Sequence, residues 1–269
     1  MPDTRRPAVV CLHSSAASSQ QWRRLVADGG SAWQWHTPDL FGHGTRPGWP
    51  ELMPSQLCVE ANGVLAGLLL PREQGFHLVG HSYGGTVALQ IALQQPRRVL
   101  SLTLYEPVAF GLLPALGPNE PAWSEIREVA ATLGAALDRG DDLGAARGFC
   151  GYWQGRDIWP ELDDTRRLRL AEAMPTVRRH FEALFNARWS DSLLGLLRMP
   201  VHLICGTATR ASAQRVAQSL AGRLPNVRFD WLEGAGHLAP ITDAARVNEL
   251  ILESLGAMQL GSMQRALAA

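Results

Sequence analysis

Short apolar runs rich in β-branched residues alternate along the chain with longer segments of helical periodicity. This alternation constrains the fold more than any other feature, because strands that follow one another through helices pair in a parallel sheet covered on both faces. The predicted strands are Ala8–Leu12, Gln34–Pro38, His77–Gly80, Leu100–Tyr105, Val201–Cys205 and Val227–Leu232. The pattern therefore predicts an α/β fold with a mostly parallel central sheet flanked by helices.

Five segments with helical spacing accompany these strands. They are Ser19–Ala27, Ser55–Leu70, Gly84–Gln94, Ala211–Leu224 and Ala244–Leu255. Prolines at positions 71, 96 and 225 fall where three of these helices should end before the next strand. Beyond Gly256 the pattern leaves open whether the last helix continues or frays.

One long interval, from Pro107 to Pro200, contains no run that is typical of a core strand. Connections in compact domains are usually about 2–6 residues long, so an interval of this length indicates an insertion. Its predicted helices are Trp123–Arg139, Leu143–Tyr152, Asp163–Met174 and Thr176–Arg188. We expect a core domain made of residues 1–106 and 201–269, with residues 107–200 forming a helical cap between two strands. A separate regulatory domain is the alternative, although no Gly/Ser-rich linker flanks the interval.

Composition excludes several classes of protein. The 269 residues carry 25 basic and 25 acidic side chains, which lacks the excess positive charge of a nucleic-acid-binding protein. The four cysteines have no CxxC spacing, so neither a zinc site nor any other metal site is expected. No apolar run approaches the roughly 20 residues of a membrane span, and no signal-peptide pattern precedes His13. We expect a cytoplasmic protein, and a homo-oligomer stays an open alternative to a monomer.

The strongest chemical signal is Gly80-His-Ser82-Tyr-Gly84, which lies after an apolar strand and before an apolar helix. This context is typical of a nucleophile elbow, in which a sharp strand-to-helix turn exposes the serine hydroxyl at the helix N-terminus. The residues two positions before and after the serine must lack bulk, because the turn is tight. A glycine-rich turn with an incidental serine is the alternative.

Together with three other stretches, this motif resembles the α/β-hydrolase family, specifically its capped serine hydrolases of esterase type. The other stretches are Val9–Ser15, Pro38–Gly44 and Gly234–His237. The resemblance implies that Ser82 is the nucleophile and that His237, on a loop after the last strand, is the general base. His13 and His43 are interpreted as hydrogen-bonding residues that shape their loops.

The expected acid of the triad is missing from its usual position. In most relatives an aspartate follows the next-to-last strand as Gly-x-x-Asp, whereas this chain has Thr209 there. Glu106 ends the strand after the nucleophile helix, and some haloalkane dehalogenases resemble this arrangement. We therefore expect Glu106 to be the acid. A helix cap or a partner of an arginine is the alternative role for this residue.

An oxyanion hole requires two preorganised donors. The resemblance implies the backbone N–H of Tyr83 and that of Ser15, although Ser14 replaces the usual glycine beside Ser15. Aromatic residues of the insertion are candidates for an apolar substrate pocket, or alternatively for the packing of the insertion itself. They are Phe110, Phe149, Tyr152, Trp153, Trp159, Phe181 and Trp189.

These residues predict a serine hydrolase that cleaves a carboxylic ester of a small, largely apolar substrate through an acyl-enzyme, without metal or organic cofactor. Cleavage of a C–C bond, a thioester or an amide on the same triad is an alternative that the sequence leaves open. A ligand-binding protein with negligible hydrolysis is a second alternative, suggested by Thr209.

Overall fold

The computed structural model of the chain describes residues 6–267, and the side chains of residues 6–257. Residues 1–5 and 268–269 of the predicted core domain therefore lie outside the described residues. The strands are β1 (Ala8–Leu12), β2 (Gln34–His36), β3 (Phe76–His81), β4 (Val99–Tyr105), β5 (Val201–Gly206) and β6 (Val227–Leu232). They form one parallel sheet in the order β2-β1-β3-β4-β5-β6.

The predicted α/β fold with a mostly parallel sheet is confirmed. Each predicted strand occurs, with ends within two residues of the prediction. The central strands β1, β3, β4 and β5 are buried almost throughout, which explains why they read as largely apolar runs, whereas the edge strands β2 and β6 are only partly buried. Along β1, Ala8, Val10 and Leu12 belong to the larger apolar cluster, and Val9 and Cys11 pack into a smaller cluster on the opposite face.

Helices connect the strands and cover both faces. In the core these helices are α1 (Arg23–Gly29), α2 (Leu57–Gly67) and α3 (Tyr83–Gln94) before the long interval, and α8 (Ala211–Ala221), α9 (Ala239–Thr242) and α10 (Ala244–Leu267) after it. Residues 19–27 were predicted as one helix, but Ser19–Trp22 is a 3-10 turn that precedes α1. The last helix continues through Leu267, so the tail extends it.

The interval between β4 and β5 is helical, as predicted. It contains α4 (Pro121–Asp138), α5 (Asp142–Gln154), α6 (Asp164–Asn186) and α7 (Asp191–Leu194). The predicted break in the third of these helices was wrong, because α6 runs through Pro175 without ending. Met174 and Val177 on either side of this proline are buried in the main apolar cluster. Tertiary packing of this face therefore outweighs the backbone hydrogen bond that proline cannot make.

Within the described part of the chain, no helix combines the length and the hydropathy needed to span a bilayer.

Candidate active site

Ser82 occupies the sharp turn between β3 and α3. Its backbone has φ 55° and ψ −120°, a conformation that an L-residue rarely adopts. A side chain at Gly80 would collide with the backbone of Gly85, and one at Gly84 would collide with the carbonyl of His13. The two glycines of the motif are therefore required by close backbone approach, and the serine begins the helix at its N-terminal end.

His237 lies on the loop after β6, and its ring reaches Ser82. The distance from His237 Nε2 to Ser82 Oγ is 2.9 Å. Two side chains of the sheet anchor the loop: His81 Nε2 donates to the carbonyl of His237 at 2.8 Å, and Tyr105 Oη donates to the carbonyl of Gly236 at 2.8 Å. His81 is thus fully buried between the sheet and the histidine loop.

Glu106 follows β4 directly and contacts the other nitrogen of the same ring. Its Oε2 lies 2.6 Å from His237 Nδ1. The carboxylate also accepts hydrogen bonds from the backbone N–H of Gly206 and from the hydroxyl of Thr209, each at 2.8 Å. Like Ser82, Glu106 has a positive φ, here 43°. The strands end side by side, so the three predicted triad residues come together at the carboxyl edge of the sheet.

This carboxylate is buried, and no arginine among the described residues pairs with it. Glu106 has no exposed surface, and among the described residues its ion pair is with His237 alone. Its negative charge adds to burial in raising the pKa of the neighbouring Cys205 thiol and of the Tyr105 hydroxyl above their ordinary values. A protonated His237 would therefore be the counter-charge of Glu106.

Thr209 occupies the position after β5 at which the resemblance implies an aspartate. Its hydroxyl donates to Glu106 Oε2. Glu106 Oε2 is the oxygen that also contacts His237 Nδ1. A single carboxylate oxygen therefore separates the Thr209 hydroxyl from the imidazole, and the side chain at position 209 contacts Glu106.

The loop after β1 brings Ser15 to the same edge of the sheet. The backbone N–H groups of its neighbours are engaged: that of Ser14 donates to Gln21 Oε1 at 3.1 Å, and that of Ala16 donates to His43 Nε2 at 2.9 Å. The N–H of Ser15 makes no hydrogen bond to any residue that the structure describes. Ser14 is not among the described non-glycine residues with positive φ, so this loop needs no glycine there.

Two histidines hold this loop, in agreement with their interpretation as shaping residues. The backbone N–H of Leu40 donates to His13 Nε2 at 2.9 Å, which leaves His13 Nδ1 to donate to the carbonyl of Ser14 at 2.8 Å. Burial, together with nearby His43, lowers the pKa of His13 to about 3, so it stays neutral. A neutral ring fits the acceptor role of its Nε2.

A narrow cavity of about 10 Å³, roughly the space that one water molecule needs, borders Ser82. Aliphatic and aromatic side chains dominate its wall, and two polar side chains, Ser15 and His180, join them. The apolar members are Val108, Phe110, Phe149, Trp153, Val177, Phe181 and Leu184. Of the aromatic residues predicted to line a pocket, Tyr152, Trp159 and Trp189 do not border this cavity. Trp153 also stacks on the ring of His237, with centroids 3.7 Å apart.

Sequence reasoning did not single out His180, which projects from α6 into this site. No local motif marks it, since it lies within an ordinary amphipathic helix about 100 residues from the nucleophile. Within the described residues, no three His, Cys, Asp or Glu side chains are arranged to hold a metal ion.

Comparisons with known proteins agree with this architecture. The family model described as "Alpha/beta hydrolase family" matches residues 9–250. The chain is 31% identical over 235 residues to the protein named Lipase LipV from Mycobacterium tuberculosis, covering 81% of this chain and 82% of the relative. It is 25% identical to a putative carbamate hydrolase RutD from Yersinia enterocolitica, covering 92% of this chain and 86% of that protein.

Solved structures show the same fold at low identity. The enol-lactonase from Burkholderia xenovorans superposes with a TM-score of 0.75 at 16% identity, over 95% of this chain and 94% of that one. The α/β-hydrolase MGS-M2 from a deep-sea metagenome library gives a TM-score of 0.79 at 15% identity, over 95% of this chain and 91% of that one. The chain belongs to the α/β-hydrolase family and is an enzyme of the hydrolase type.

Proposed function

We propose that this hydrolase cleaves carboxylic esters of small, largely apolar molecules through an acyl-enzyme formed on Ser82. The observation that carries the proposal is the continuous hydrogen-bonded path from Ser82 Oγ through His237 to Glu106, at 2.9 Å and 2.6 Å. A nucleophile, a base and an orienting carboxylate within hydrogen-bond reach are what acyl transfer to a hydroxyl requires.

In the first half of the reaction, Ser82 Oγ attacks the acyl carbon while His237 Nε2 takes the hydroxyl proton. Glu106 keeps the proton of His237 on Nδ1 and balances the imidazolium charge, as a carboxylate does in a serine triad. The negative charge on the acyl oxygen is held by the backbone N–H groups of Tyr83 and Ser15. Collapse of this intermediate breaks the ester C–O bond, and the imidazolium protonates the leaving alcohol.

In the second half, water attacks the acyl-enzyme and His237 takes its proton. The second tetrahedral intermediate returns Ser82 and releases the carboxylic acid. The site's own residues supply every proton transfer, so the scheme requires no metal or organic cofactor.

The helices between β4 and β5 act in this proposal as a cap that selects the substrate. This role is supported by the cavity beside Ser82, because most of the wall of this cavity comes from residues 108–184. A largely apolar wall favours an apolar acyl or alcohol group, because transfer of that group from water stabilises the complex. The relative named a lipase is by that name an ester hydrolase, which favours esters over amides and C–C bonds.

A fluorophosphonate probe tests the assignment of the nucleophile. Attack by Ser82 forms an O–P bond and expels fluoride, so the intact mass of the wild-type protein should rise by one phosphonyl group. Ser82→Ala should not be labelled, and it should release p-nitrophenol from p-nitrophenyl butyrate at the background rate, whereas the wild type should turn over many times.

Ser101→Ala is the matched control, because Ser101 is also a buried serine whose hydroxyl contacts a histidine, His77 Nδ1, at 2.7 Å. It should keep both labelling and turnover. Labelling that persists in Ser82→Ala would contradict the proposal. A wild-type protein that binds the ester without multiple turnover would instead be a ligand-binding protein, the alternative suggested by Thr209.

A further inference from the structure

His180 is buried inside the site although it comes from the helical insertion. It lies on α6 with about 1% of its surface exposed and borders the cavity beside Ser82. Burial, with further effects from His43 and His13, holds its pKa well below the ordinary value, so the ring is neutral. Within the described residues its Nε2 has no hydrogen-bond partner, so Nδ1 makes the polar contact of this ring.

That contact is with the loop that carries Ser15. A hydrogen bond of 2.8 Å joins His180 Nδ1 and Ser15 Oγ, across 165 positions of the chain. It connects α6 of the insertion with the loop after β1 of the core. A hydrogen bond of this kind fixes the position of Ser15 relative to α6.

The same ring packs on the second residue proposed for the oxyanion hole. The rings of His180 and Tyr83 are parallel within 9°, with centroids 3.6 Å apart. The side chain of Tyr83 is fully buried, and its backbone N–H opens the helix after the nucleophile. One residue of the insertion therefore contacts both residues whose amides face the developing oxyanion in the proposed mechanism.

The positions of the Ser15 and Tyr83 N–H groups affect the rate, because donors that are already oriented toward the oxyanion stabilise the transition state. Loss of one oxyanion donor costs about 10²–10³ in kcat in a serine protease. Ser15 stands in a loop without regular structure, and its own N–H is not held by another residue that the structure describes. Its orientation must therefore come from its neighbours and from its side-chain contact.

We propose that His180 is a positioning residue that holds Ser15 and Tyr83 in place, so that the oxyanion hole is complete only when α6 is packed on the core. The inference rests on the proposed function, because it assigns His180 a part in the same ester hydrolysis. In this proposal, the helices that select the substrate also contribute to stabilisation of the transition state, and not to substrate binding alone.

The test separates binding of the transition state from binding of the substrate. Phenylboronic acid adds to the serine hydroxyl as a tetrahedral anion, and p-nitrophenyl butyrate reports kcat and KM. His180→Phe keeps a ring to stack on Tyr83 and removes the hydrogen bond to Ser15. We expect it to lower kcat about tenfold and to weaken boronate inhibition by a similar factor, with KM changed less than twofold.

Three further variants serve as controls for the effect of His180→Phe. Ser15→Ala removes the same hydrogen bond from the core side, should reproduce the loss, and should add nothing to His180→Phe in the double variant. His180→Asn, whose amide can replace Nδ1, should restore part of kcat. Phe181→Leu, the neighbouring residue in the same cavity wall, should change KM and boronate inhibition by one common factor.

The inference is overturned if Ser15→Ala and His180→Phe both keep the wild-type kcat and boronate inhibition, or if their losses are fully additive. Ser15→Ala leaves α6 intact, so it decides the matter even if His180→Phe does not fold. If Ser82→Ala itself keeps the activity, the proposed function fails instead, and the two failures are thereby distinguished.

Discussion

Glu106 combines a strained backbone with a fully satisfied carboxylate. A positive φ in a residue other than glycine costs about 1–3 kcal/mol, and such strain persists only where the surroundings over-determine it. Here the surroundings are the N–H of Gly206, the hydroxyl of Thr209 and the ring of His237. Ser82 carries the same kind of strain on the adjacent strand. Two of the three proposed triad residues are thus held in rare backbone conformations at one edge of the sheet.

Because Thr209 contacts Glu106, we predict that the acid of the triad can be supplied from position 209, after β5, in place of position 106, after β4. Glu106→Gln alone should be nearly inactive, and adding Thr209→Asp should recover at least tenfold in kcat, because a single oxygen, Glu106 Oε2, separates the side chain at position 209 from His237 Nδ1. Turnover of p-nitrophenyl butyrate measures the recovery.

Glu106→Gln with Thr209→Asn is the matched control for the acid transfer, since it places an amide of the same size at position 209 without a charge. It should stay as slow as Glu106→Gln. Equal rates for the aspartate and asparagine versions would contradict a movable acid.

Helix α2 carries a buried carboxylate whose ionisation we expect to affect the stability of the fold. Glu60 has no exposed surface, and its Oε1 accepts from the N–H of Phe41 at 3.1 Å. Burial raises the pKa of Glu60 to about 7, against the opposing effects of the Phe41 hydrogen bond and of Arg46. In the unfolded chain the same group titrates near 4.5.

The sign of the resulting pH dependence follows from proton binding. At pH values between 4.5 and 7 the carboxyl of Glu60 keeps its proton in the folded protein but has lost it in the unfolded chain. The contribution of this group to the free energy of unfolding is therefore complete below about pH 4.5 and is lost as pH rises through about 7. A difference of this size corresponds to roughly 3 kcal/mol at high pH. Glu60→Gln keeps an oxygen for Phe41 and removes the ionisation.

Urea unfolding of the wild type and of Glu60→Gln at pH 5 and pH 8 measures this contribution. The variant should gain stability relative to the wild type on going from pH 5 to pH 8, by about 1–3 kcal/mol. A difference between the two proteins that is the same at both pH values would show that Glu60 keeps its ordinary pKa.

Replacement of the exposed Pro175 in α6 should increase the stability of the protein. Proline within a helix lacks one backbone N–H, and it costs about 3 kcal/mol relative to alanine, an amount reduced by its smaller entropy in the unfolded chain. Pro175→Ala should therefore raise the unfolding free energy by about 1–2 kcal/mol, seen as a higher Tm by a few degrees in thermal unfolding. An unchanged or lower Tm would mean that the proline itself is needed for the packing of this helix.

At the scale of the whole molecule, the local patterns predicted the sheet and most of the helices. The central strands are covered on both faces, so they appear as largely apolar runs that can be recognised without a structure. Gly80 and Gly84 mark the turn for a similarly local reason. Glu106 could be singled out because an acid was missing at Thr209 and a glutamate ended the neighbouring strand.

Other features depend on contacts between distant segments and left no local signal. The continuation of α6 through Pro175 depends on burial of its inner face, which outweighs the preference of proline. His180 and Trp153 contact Ser15 and His237 only after the insertion has folded against the core. Periodicity identifies such residues as one face of a helix, but it does not say which group they meet.

The central claim is that the acid of the proposed triad comes from the end of β4 and not from the usual position after β5. The most direct measurement compares kcat of Glu106→Gln and Thr209→Ala on p-nitrophenyl butyrate at neutral pH. Glu106→Gln should lose about 10³–10⁴, because a neutral amide cannot stabilise the imidazolium, whereas Thr209→Ala should lose about tenfold or less. A nearly inactive Thr209→Ala beside an active Glu106→Gln would contradict the account.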